Sequence, residues 1–260
     1  MTGGMILRLV PVLAFAAPLA DLSPALAQAG PHDRAPHQAW SFEGPLGRFD
    51  LSAVQRGYAV YAQVCSACHG MKAMTYGDLT RMGLTMEQVG RIAATQQVPG
   101  GVDAQGDPVT RAATPADHFR DPFVNPEAAA AANHGVAPPD QSRLALVYPG
   151  GPDRIYALLT GYRPPPPGYR PSHAGAVYNP YASDREIAMP PPLRDGQVVY
   201  TDGTPATTAQ EARDVTTFLA WVAQPHLEAR HRLGAQVVLY LLFLAVLAFL
   251  LKRRVWSDVH

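Results

Sequence analysis

The spacing of apolar and polar residues predicts two principal helices between polar, proline-rich stretches. The first begins near Asp50 or Ser52, either of which could cap it, and its apolar face comprises Leu51, Val54, Tyr58, Tyr61, Ala62 and Cys65. A second amphipathic segment runs from Thr208 to Gln224 and is closed by Pro225. The apolar side of this second helix comprises Val215, Phe218, Leu219 and Val222.

Weaker patterns predict short elements separated by long, ordered loops. Short helices are expected at 85–96, 126–133 and 153–160, and a small hairpin at 197–201. The proline runs 164–167 and 190–192 cannot continue helices, so they should form extended, stiff loops. The predicted fold class is therefore mostly α.

The C-terminal part of the chain contains an apolar run long enough to cross a membrane. Residues 233–251 carry no charge and would span about 28 Å as a helix at about 1.5 Å per residue. The basic residues 252–254 follow the run, and Arg230 and Arg232 precede it. This small excess of positive charge favours a cytoplasmic C-terminus.

The N-terminal residues have the layout of a secretory signal. Arg8 precedes an apolar stretch from Leu9 to Ala20, and Ala25-Leu26-Ala27 fits a cleavage site with small residues. Together the two ends predict an exported head held by one helix. The expected division is a signal peptide at 1–27, an exported domain at 28–229, and an anchor with a short cytoplasmic tail at 230–260.

Charge and cysteine content narrow the classes of function. The 260 residues contain 21 basic and 21 acidic side chains, so no overall positive field indicates nucleic-acid binding. Two cysteines three positions apart cannot cross-link a disulfide scaffold. Between Asp103 and Glu127 five acidic residues accompany only Arg111 and Arg120, a segment that could steer a basic protein partner.

The sequence Cys65-Ser66-Ala67-Cys68-His69 is the sharpest chemical signal in the chain. Two thiols at this spacing reach the two vinyl groups of one haem, and the adjacent histidine then serves as an axial iron ligand. A thioredoxin-like redox pair would need a strand–turn–helix setting, whereas a helix is predicted before this motif. A zinc site would need a further ligand, and a disulfide here would constrain almost nothing. The pattern therefore predicts one covalent haem c.

The second axial ligand is less constrained by the sequence. Met71 and Met74 follow His69 too closely to cross the ring easily, and Met82 with Met86 is expected on one helix face as core. Met189 begins a Met-Pro-Pro-Pro-Leu segment, whose rigid backbone could hold a thioether without an ordering cost. The alternatives are His118, His134 and His173.

A haem with two axial protein ligands passes electrons but offers no open position to oxygen or peroxide. Electron transfer is therefore the first functional hypothesis. The competing ones are a free-standing, membrane-tethered cytochrome c that feeds a terminal oxidase or photosynthetic centre, and a haem enzyme or gas sensor.

An ordered set of motifs across residues 40–256 resembles the cytochrome c1 family, the haem-bearing subunit of the cytochrome bc1 complex. The set comprises Arg56-Gly57, Val60-Tyr61, Val64 to His69, Asn125 to Ala129, Pro138-Pro139-Asp140, Leu158 to Tyr162, Tyr178-Asn179-Pro180-Tyr181, Ile187 to Leu193, Asp202 to Thr207, and Asp214-Val215 through Trp221 to Arg230.

The resemblance implies a c-type cytochrome head with long loops and insertions plus one C-terminal transmembrane helix. It implies Met189 as the distal ligand, Pro138 and Pro139 lining the haem crevice, and Tyr162 and Tyr181 near the ring or its propionates. Electrons would come from a Rieske iron–sulfur protein and leave to a soluble or anchored c-type cytochrome, without catalysis by this subunit alone. The anchor would lie beside cytochrome b in a dimeric complex of the bacterial inner membrane, with the haem domain on the periplasmic side.

The chain departs from this family at two places that bear on the haem propionates. Ala130 stands where many relatives carry an arginine, and residues 144–148 are apolar or aromatic where relatives often carry basic residues. Such a loss would lower the reduction potential unless another arginine compensates, and Arg120 is one candidate.

Overall fold

The computed structural model describes residues 32–257, so the predicted signal peptide lies outside the described residues. This part of the chain is mostly α, as predicted. Its helices are α1 (Leu51–Gln63), α2 (Met86–Ala94), α3 (Pro126–Ala132), α4 (Leu144–Val147), α5 (Gly151–Thr160), α6 (Thr208–Ala223) and α7 (Leu227–Val255). Short 3₁₀ helices lie at Cys65–Ala67, Tyr76–Met82 and Ser183–Arg185.

Two small antiparallel sheets complete the secondary structure of the described residues. In one, β1 (Gln97–Val102) pairs with β2 (Pro108–Ala112); in the other, β3 (Val177–Tyr178) pairs with β4 (Glu186–Ile187). The β1–β2 hairpin is a structural finding that the apolar pattern does not predict, because nearly all of its residues face solvent.

The hairpin predicted at 197–201 is wrong. That segment forms turns and loop, because side chains rather than a partner strand satisfy its backbone. Val198 N–H donates to the Glu211 carboxylate at 3.1 Å, and Val199 N–H donates to the Gln63 side chain at 3.3 Å. The helices α6 and α1 therefore hold this loop in place.

The first predicted helix forms with Asp50 as its cap, but its buried face is rotated from the expected one. The Asp50 carboxylate accepts hydrogen bonds from the backbone N–H groups of the first turn. The buried positions are Ala53, Val54, Gly57, Val60 and Tyr61. Leu51 and Ala62, expected on the apolar face, are exposed. The rotation brings Gly57 to the helix that α1 packs against.

The shared helix face expected for Met82 and Met86 is also wrong. Met82 ends the 3₁₀ helix and is buried in the core. Gly83 then adopts a left-handed conformation with φ of 95°, which breaks the helical path. Met86 begins α2 on the far side of this break and is 59% exposed. Only the first of the two methionines packs in the core.

The core of the head forms where α1 crosses α6. A Cβ atom built on Gly57 would overlap the backbone carbonyl of Asp214 and the Cβ of Phe218, so only glycine permits this approach. Around the crossing, the Tyr61 and Phe218 rings lie 5.8 Å apart and Phe119 packs 5.9 Å from Tyr61. The two helices therefore meet backbone to backbone, with aromatic rings sealing the contact.

An ion pair reinforces the same crossing. Arg56 donates from Nε and Nη2 to the two carboxylate oxygens of Asp214, at 2.9 and 3.1 Å. Its Nη1 also donates to Asp202 at 2.9 Å, which attaches the loop before α6. The Asp214 side chain is only 1% exposed. A buried carboxylate of this kind depends on its partner, because removing one member leaves an uncompensated charge.

Helix α7 carries the apolar run found in the sequence. It is long and apolar enough to cross a membrane, and its apolar side chains from Leu233 to Leu251 do not pack against the head. Its first residues are joined to the head, because Glu228 accepts from Phe49 N–H at 3.3 Å and the His231 ring contacts the Gly47 carbonyl at 3.0 Å. Within the described residues, the head is thus followed by one helix that is a candidate membrane span.

The close crossing predicts that adding a single methyl group at Gly57 destabilises the head. Gly57→Ala should lower the free energy of unfolding by about 3 kcal/mol, because the added Cβ forces two packed backbones apart. The matched control is Gly90→Ala in α2, where an added Cβ meets nothing within 4 Å. That control should gain roughly 0.5–1 kcal/mol.

Urea unfolding of the detergent-solubilised full-length chain, followed by circular dichroism, measures both variants. Equal unfolding midpoints for Gly57→Ala and Gly90→Ala would show that the crossing is not as tight as described.

Candidate functional site

The two cysteines and His69 lie on one compact turn directly after α1. Cys65–Ala67 forms a 3₁₀ helix, and the backbone N–H groups of Cys68 and His69 both donate to the Cys65 carbonyl, at 3.1 and 2.9 Å. Tyr61, one turn earlier in α1, donates its hydroxyl to the His69 carbonyl at 3.3 Å. The position of the motif is thus fixed by the helix that makes the core crossing.

The environment of the thiols does not resemble that of a redox-active pair. Both cysteines are free, with Cys65 half-buried and Cys68 exposed. Burial raises the pKa of the Cys65 thiol to about 12. Reactive cysteine pairs have a lowered thiol pKa, because the thiolate is the nucleophile. The structure therefore argues against the thioredoxin-like alternative.

A hydrogen bond to the backbone fixes the tautomer and the orientation of the His69 ring. Its Nδ1 lies 2.8 Å from the Pro139 carbonyl. A carbonyl can only accept, so Nδ1 carries the proton and the lone pair resides on Nε2. Burial lowers the pKa of His69, which favours the neutral imidazole. The result is an oriented ring with one free nitrogen donor.

The Pro139 carbonyl is itself fixed, because residues 138–142 are joined to residues 69–73 along their length. The Asp140 carboxylate accepts from Lys72 N–H at 2.8 Å, and Gln141 N–H donates to the Gly70 carbonyl at 2.9 Å. Ala73 N–H donates to the Ser142 hydroxyl oxygen at 3.0 Å. Asp140 thus positions the histidine, a role that its place in the Pro138-Pro139-Asp140 motif did not specify.

Met189, the candidate for the second axial ligand, is half-buried. Its backbone carbonyl accepts a hydrogen bond from the Tyr162 hydroxyl at 2.9 Å. Burial raises the pKa of Tyr162, so this hydroxyl stays protonated and continues to donate. The ring of Tyr181 packs against Gly161, leaving no room for a Cβ there. These contacts place Met189, Tyr162 and Tyr181 in one group of neighbouring residues. His69 and Pro139 form a second group, and Pro138, the residue before Pro139, is half-buried.

The alternative ligands have other surroundings. Met71 and Met74 are buried in the core, at 0% and 2% exposure. His118 is exposed, and the Nδ1 of exposed His173 lies 3.0 Å from the Ser172 hydroxyl. His134 has a left-handed backbone with φ of 55°, and its ring covers Gly175. Met189 differs from all of these in being half-buried on a proline-rich loop.

A zinc reading of the cysteine motif also lacks support. Within residues 32–257, the only group of three or more His, Cys, Asp or Glu ligand atoms within 4.8 Å of one another is His37, Glu43 and Asp153. The ring nitrogens of His37 face the two different carboxylates, at 3.0 and 3.6 Å, and its hydrogen bond to Asp153 raises the pKa of His37. This group is better described as a histidine that bridges two carboxylates and holds the N-terminal segment to α5.

Arg154 is a functional candidate that the sequence reasoning missed. It is only 2% exposed, and its guanidinium donates to the Tyr181 carbonyl at 2.9 Å and to the Ser183 hydroxyl at 3.2 Å. It stacks over the Tyr148 ring at 4.7 Å. In the described part of the chain it forms no ion pair with a carboxylate. The available signal was an arginine at an inward-facing position of the predicted 153–160 helix.

Arg120, the candidate named from the sequence, has a different setting. It is exposed, and its Nε donates to the backbone carbonyl of Asp121 at 3.3 Å. A buried cation needs an anion far more than an exposed one, because water no longer solvates it. The geometry therefore favours Arg154 over Arg120 as a partner for a buried anionic group.

The acidic segment between Asp103 and Glu127 is less negative than its composition suggests. Arg111 pairs with Asp117 at 2.7 Å and holds the pKa of that carboxyl well below its usual range. Lys72 pairs with Asp121 at 2.9 Å. Two of the five acidic side chains are thus neutralised locally, which weakens the case for a steering patch.

The donor set fits a covalently held haem. Two free thiols share one turn, a neutral histidine presents a free nitrogen, a half-buried methionine lies on a fixed loop, and a buried arginine lacks an anionic partner. A haem would supply the missing groups for each: vinyl carbons, iron and propionates.

Comparison with known proteins agrees with this chemistry. A model of the "Cytochrome C1 family" matches residues 40–259. Cytochrome c1 of Rhodospirillum rubrum is 43% identical over 237 residues, which cover 85% of this chain and 87% of that protein. The mitochondrial cytochrome c1 haem protein of Kluyveromyces lactis is 42% identical over 225 residues, covering 86% of this chain and 77% of its own length.

A longer relative, cytochrome b/c1 of Bradyrhizobium diazoefficiens, is 41% identical over 263 aligned positions, which cover 93% of this chain but 38% of that protein. The residues matched by the family model include the head, the cysteine motif and the anchor helix. The chain belongs to the cytochrome c1 family.

Proposed function

We propose that this chain is the electron-transfer subunit of a cytochrome bc1 complex and carries one covalent haem c. Cys65 and Cys68 would form the thioethers, with His69 and Met189 as axial ligands. When bound, the haem supplies a one-electron iron couple with no open coordination position. The observation that carries the proposal is the His69–Pro139 hydrogen bond, which leaves one nitrogen free beside two unpaired thiols.

The chain's own contribution on the histidine side is orientation. The hydrogen bonds between residues 138–142 and 69–73 hold the Pro139 carbonyl against Nδ1, and Tyr61 holds the His69 carbonyl from the other side. A hydrogen bond from the other ring N–H fixes the tautomer of a ligating imidazole and raises its basicity. A rigid ligand also keeps reorganisation small when charge changes.

On the methionine side, the chain holds the backbone of a weak ligand. Tyr162 fixes the Met189 carbonyl, and Pro190, Pro191 and Pro192 follow directly. A thioether is neutral and soft, and histidine–methionine ligation raises the potential of a haem. Met189 would thus tune the site toward electron acceptance.

Arg154 would supply positive charge to a haem propionate. Its guanidinium donates to the carbonyl of Tyr181, and the Tyr181 ring packs against Gly161. The next residue, Tyr162, holds the Met189 carbonyl, so Arg154 belongs to the same group of residues as Met189. The absence of a carboxylate partner in the described residues is explained if the anion belongs to the cofactor. This would compensate for Ala130 and for the apolar residues at 144–148.

The proposed partners follow from the family and the anchor. A relative whose name joins cytochrome b and c1 in one longer protein supports cytochrome b as the neighbour of α7. A Rieske iron–sulfur protein would donate the electron and a c-type cytochrome would accept it, within a dimeric complex. Residues 28–229 would lie on the periplasmic side of a bacterial inner membrane, with residues 1–27 removed and the C-terminus in the cytoplasm.

The alternative is a free-standing tethered cytochrome, and the junction between head and anchor argues against it. Helix α6 ends at Ala223 and α7 begins at Leu227, so no flexible linker would let the head move between partners.

Extraction in mild detergent should yield the haem protein together with a cytochrome b and an iron–sulfur protein. Isolation of the intact haem protein alone, under conditions that preserve a known bc1 complex, would favour the tethered carrier.

Met189→Leu tests the axial assignment, because it removes the sulfur and conserves the side-chain volume. The potential should fall by roughly 0.1 V or more, within the ~0.8 V range that axial ligands span. The reduced haem should also bind carbon monoxide, and covalent haem staining should persist through Cys65 and Cys68. Redox titration and carbon monoxide difference spectra measure this.

Met86→Leu is the matched control, because Met86 is exposed and outside the site; its potential should not change. If Met189→Leu keeps both the wild-type potential and resistance to carbon monoxide, Met189 is not the ligand and His118, His134 and His173 should be tested.

Arg154→Gln tests the propionate assignment. Loss of a positive charge disfavours the added electron, so the potential should fall by tens of millivolts, roughly the effect of one elementary charge at a protein-like dielectric. The pH dependence of the potential should also change, because the propionate loses its partner.

Arg120→Gln, at an exposed side chain, should leave the potential unchanged, and Arg154→Lys should restore part of it. A folded Arg154→Gln protein with the wild-type potential at all pH values would contradict the assignment.

A further inference from the structure

Asn179 is completely buried, although its side chain is polar. The amide Nδ2 donates to the Leu158 carbonyl at 2.8 Å, and Oδ1 accepts from Tyr181 N–H at 3.1 Å. The second of these hydrogen bonds reaches a backbone group two residues further on, which is the Asx turn that asparagine favours. Asn179 therefore shapes the chain that follows it and holds that chain against α5.

The backbone of Asn179 closes the β3–β4 hairpin at its loop end. Asn179 directly follows β3, and its N–H donates at 3.0 Å to the carbonyl of Arg185, which directly precedes β4. Each strand has only two residues, with Val177 opposite Ile187. A two-stranded hairpin is marginally stable in water even when its strands are longer. The register of this short pairing therefore depends on the contacts that Asn179 makes.

The loop between the two strands has a disfavoured backbone conformation. Asp184 and Arg185 are consecutive residues in the left-handed region, with φ of 56° and 60°. Residues with a Cβ persist in this region only where their surroundings hold them there. Two such contacts are the hydrogen bond from Asn179 to the Arg185 carbonyl and the ion pair of Arg185 with Asp33 at 3.1 Å. The ion pair is exposed and contributes little, so the contact from buried Asn179 is the stronger one.

The register of β4 affects the position of Met189. Met189 lies two residues beyond Ile187, the last residue of β4. A slip of the strand by one residue moves the chain by about 3.3 Å and exchanges the faces of its side chains. Tyr162 holds the Met189 carbonyl, but that contact does not fix the direction of the side chain. The position of the thioether therefore depends on the register that Asn179 maintains.

Asn179 also reaches the surroundings of Arg154. Leu158, whose carbonyl accepts from the Asn179 amide, lies one helical turn after Arg154 in α5. Tyr181, whose N–H donates to Asn179, accepts from the Arg154 guanidinium through its carbonyl at 2.9 Å. One buried side chain thus connects the loop that carries Met189 with the helix that carries Arg154.

We propose that Asn179 is a positioning residue for the axial ligand Met189. It sets the register of β4, and it holds the ligand loop against α5 through the Leu158 carbonyl. The proposal rests on Met189 ligation under the proposed function. A purely structural role for Asn179 would stabilise the head without affecting the iron. A positioning role instead predicts easier replacement of the Met189 thioether in a protein that keeps its fold.

The test measures carbon monoxide affinity and reduction potential of the full-length haem protein in mild detergent. Asn179→Ala should raise the carbon monoxide affinity of the reduced haem about tenfold, the factor that corresponds to one or two buried hydrogen bonds. The potential should fall toward that of Met189→Leu without reaching it. Hydrogen exchange of the backbone across residues 177–189 should become faster, which checks the hairpin independently of the haem.

Two further variants separate positioning from a general loss of stability. Asn179→Ser is a milder change, because its hydroxyl can still accept from Tyr181 N–H, and it should raise the affinity only about threefold. It also serves if Asn179→Ala does not fold. Asn179→Ala combined with Asp184→Gly should recover part of the wild-type behaviour, because glycine adopts the left-handed turn without steric cost.

Val89→Ala is the matched control, because Val89 is completely buried in α2, outside the β3–β4 hairpin and α5; it should keep the wild-type affinity. Equal gains in the Val89 and Asn179 variants would overturn the proposal, since general destabilisation would then explain them. If Met189→Leu binds carbon monoxide but both Asn179 variants behave as wild type, the axial assignment stands and the positioning role is wrong. If Met189→Leu excludes carbon monoxide, the axial assignment is wrong and the positioning role with it.

Discussion

The close crossing of α1 and α6 at Gly57 is the contact on which the remaining structure depends. The two backbones meet at the carbonyl of Asp214, and the Arg56–Asp214 ion pair and the aromatic rings around Phe218 hold them there. Helix α1 leads into the cysteine motif, and α6 leads into the anchor. The close approach of the two backbones at Gly57, which has no side chain, therefore sets the position of the proposed haem relative to the proposed anchor.

Around this crossing, hydrogen bonds rather than further core packing position the proposed haem ligand His69 and its neighbours. Tyr61 holds the His69 carbonyl, and residues 138–142 are attached to the chain after the motif. Loop backbone is more mobile than the helices and strands it connects, unless its polar groups are satisfied. Here the backbone N–H groups of residues 72 and 73 donate to the side chains of Asp140 and Ser142. The loop has no regular secondary structure, but these hydrogen bonds hold it in place.

The distribution of charge follows the same division between core and surface. Asp214 is buried and fully paired, whereas Arg154 is buried without a carboxylate in the described residues. In the first arrangement the buried charge is compensated within the polypeptide; the second is costly unless an anion outside the polypeptide completes it.

The sequence by itself determined the mostly α class, the α1 and α6 helices, the apolar anchor and the cysteine motif, because each depends on local spacing that a few neighbouring residues fully specify. Only the tertiary structure decided which face of α1 is buried, that Met82 and Met86 lie on separate elements, and that residues 197–201 bind helix side chains instead of forming a hairpin. It also decided that Arg154, and not Arg120, is the buried cation. These features depend on which distant backbone or side chain arrives at each residue, and a linear pattern does not contain that information.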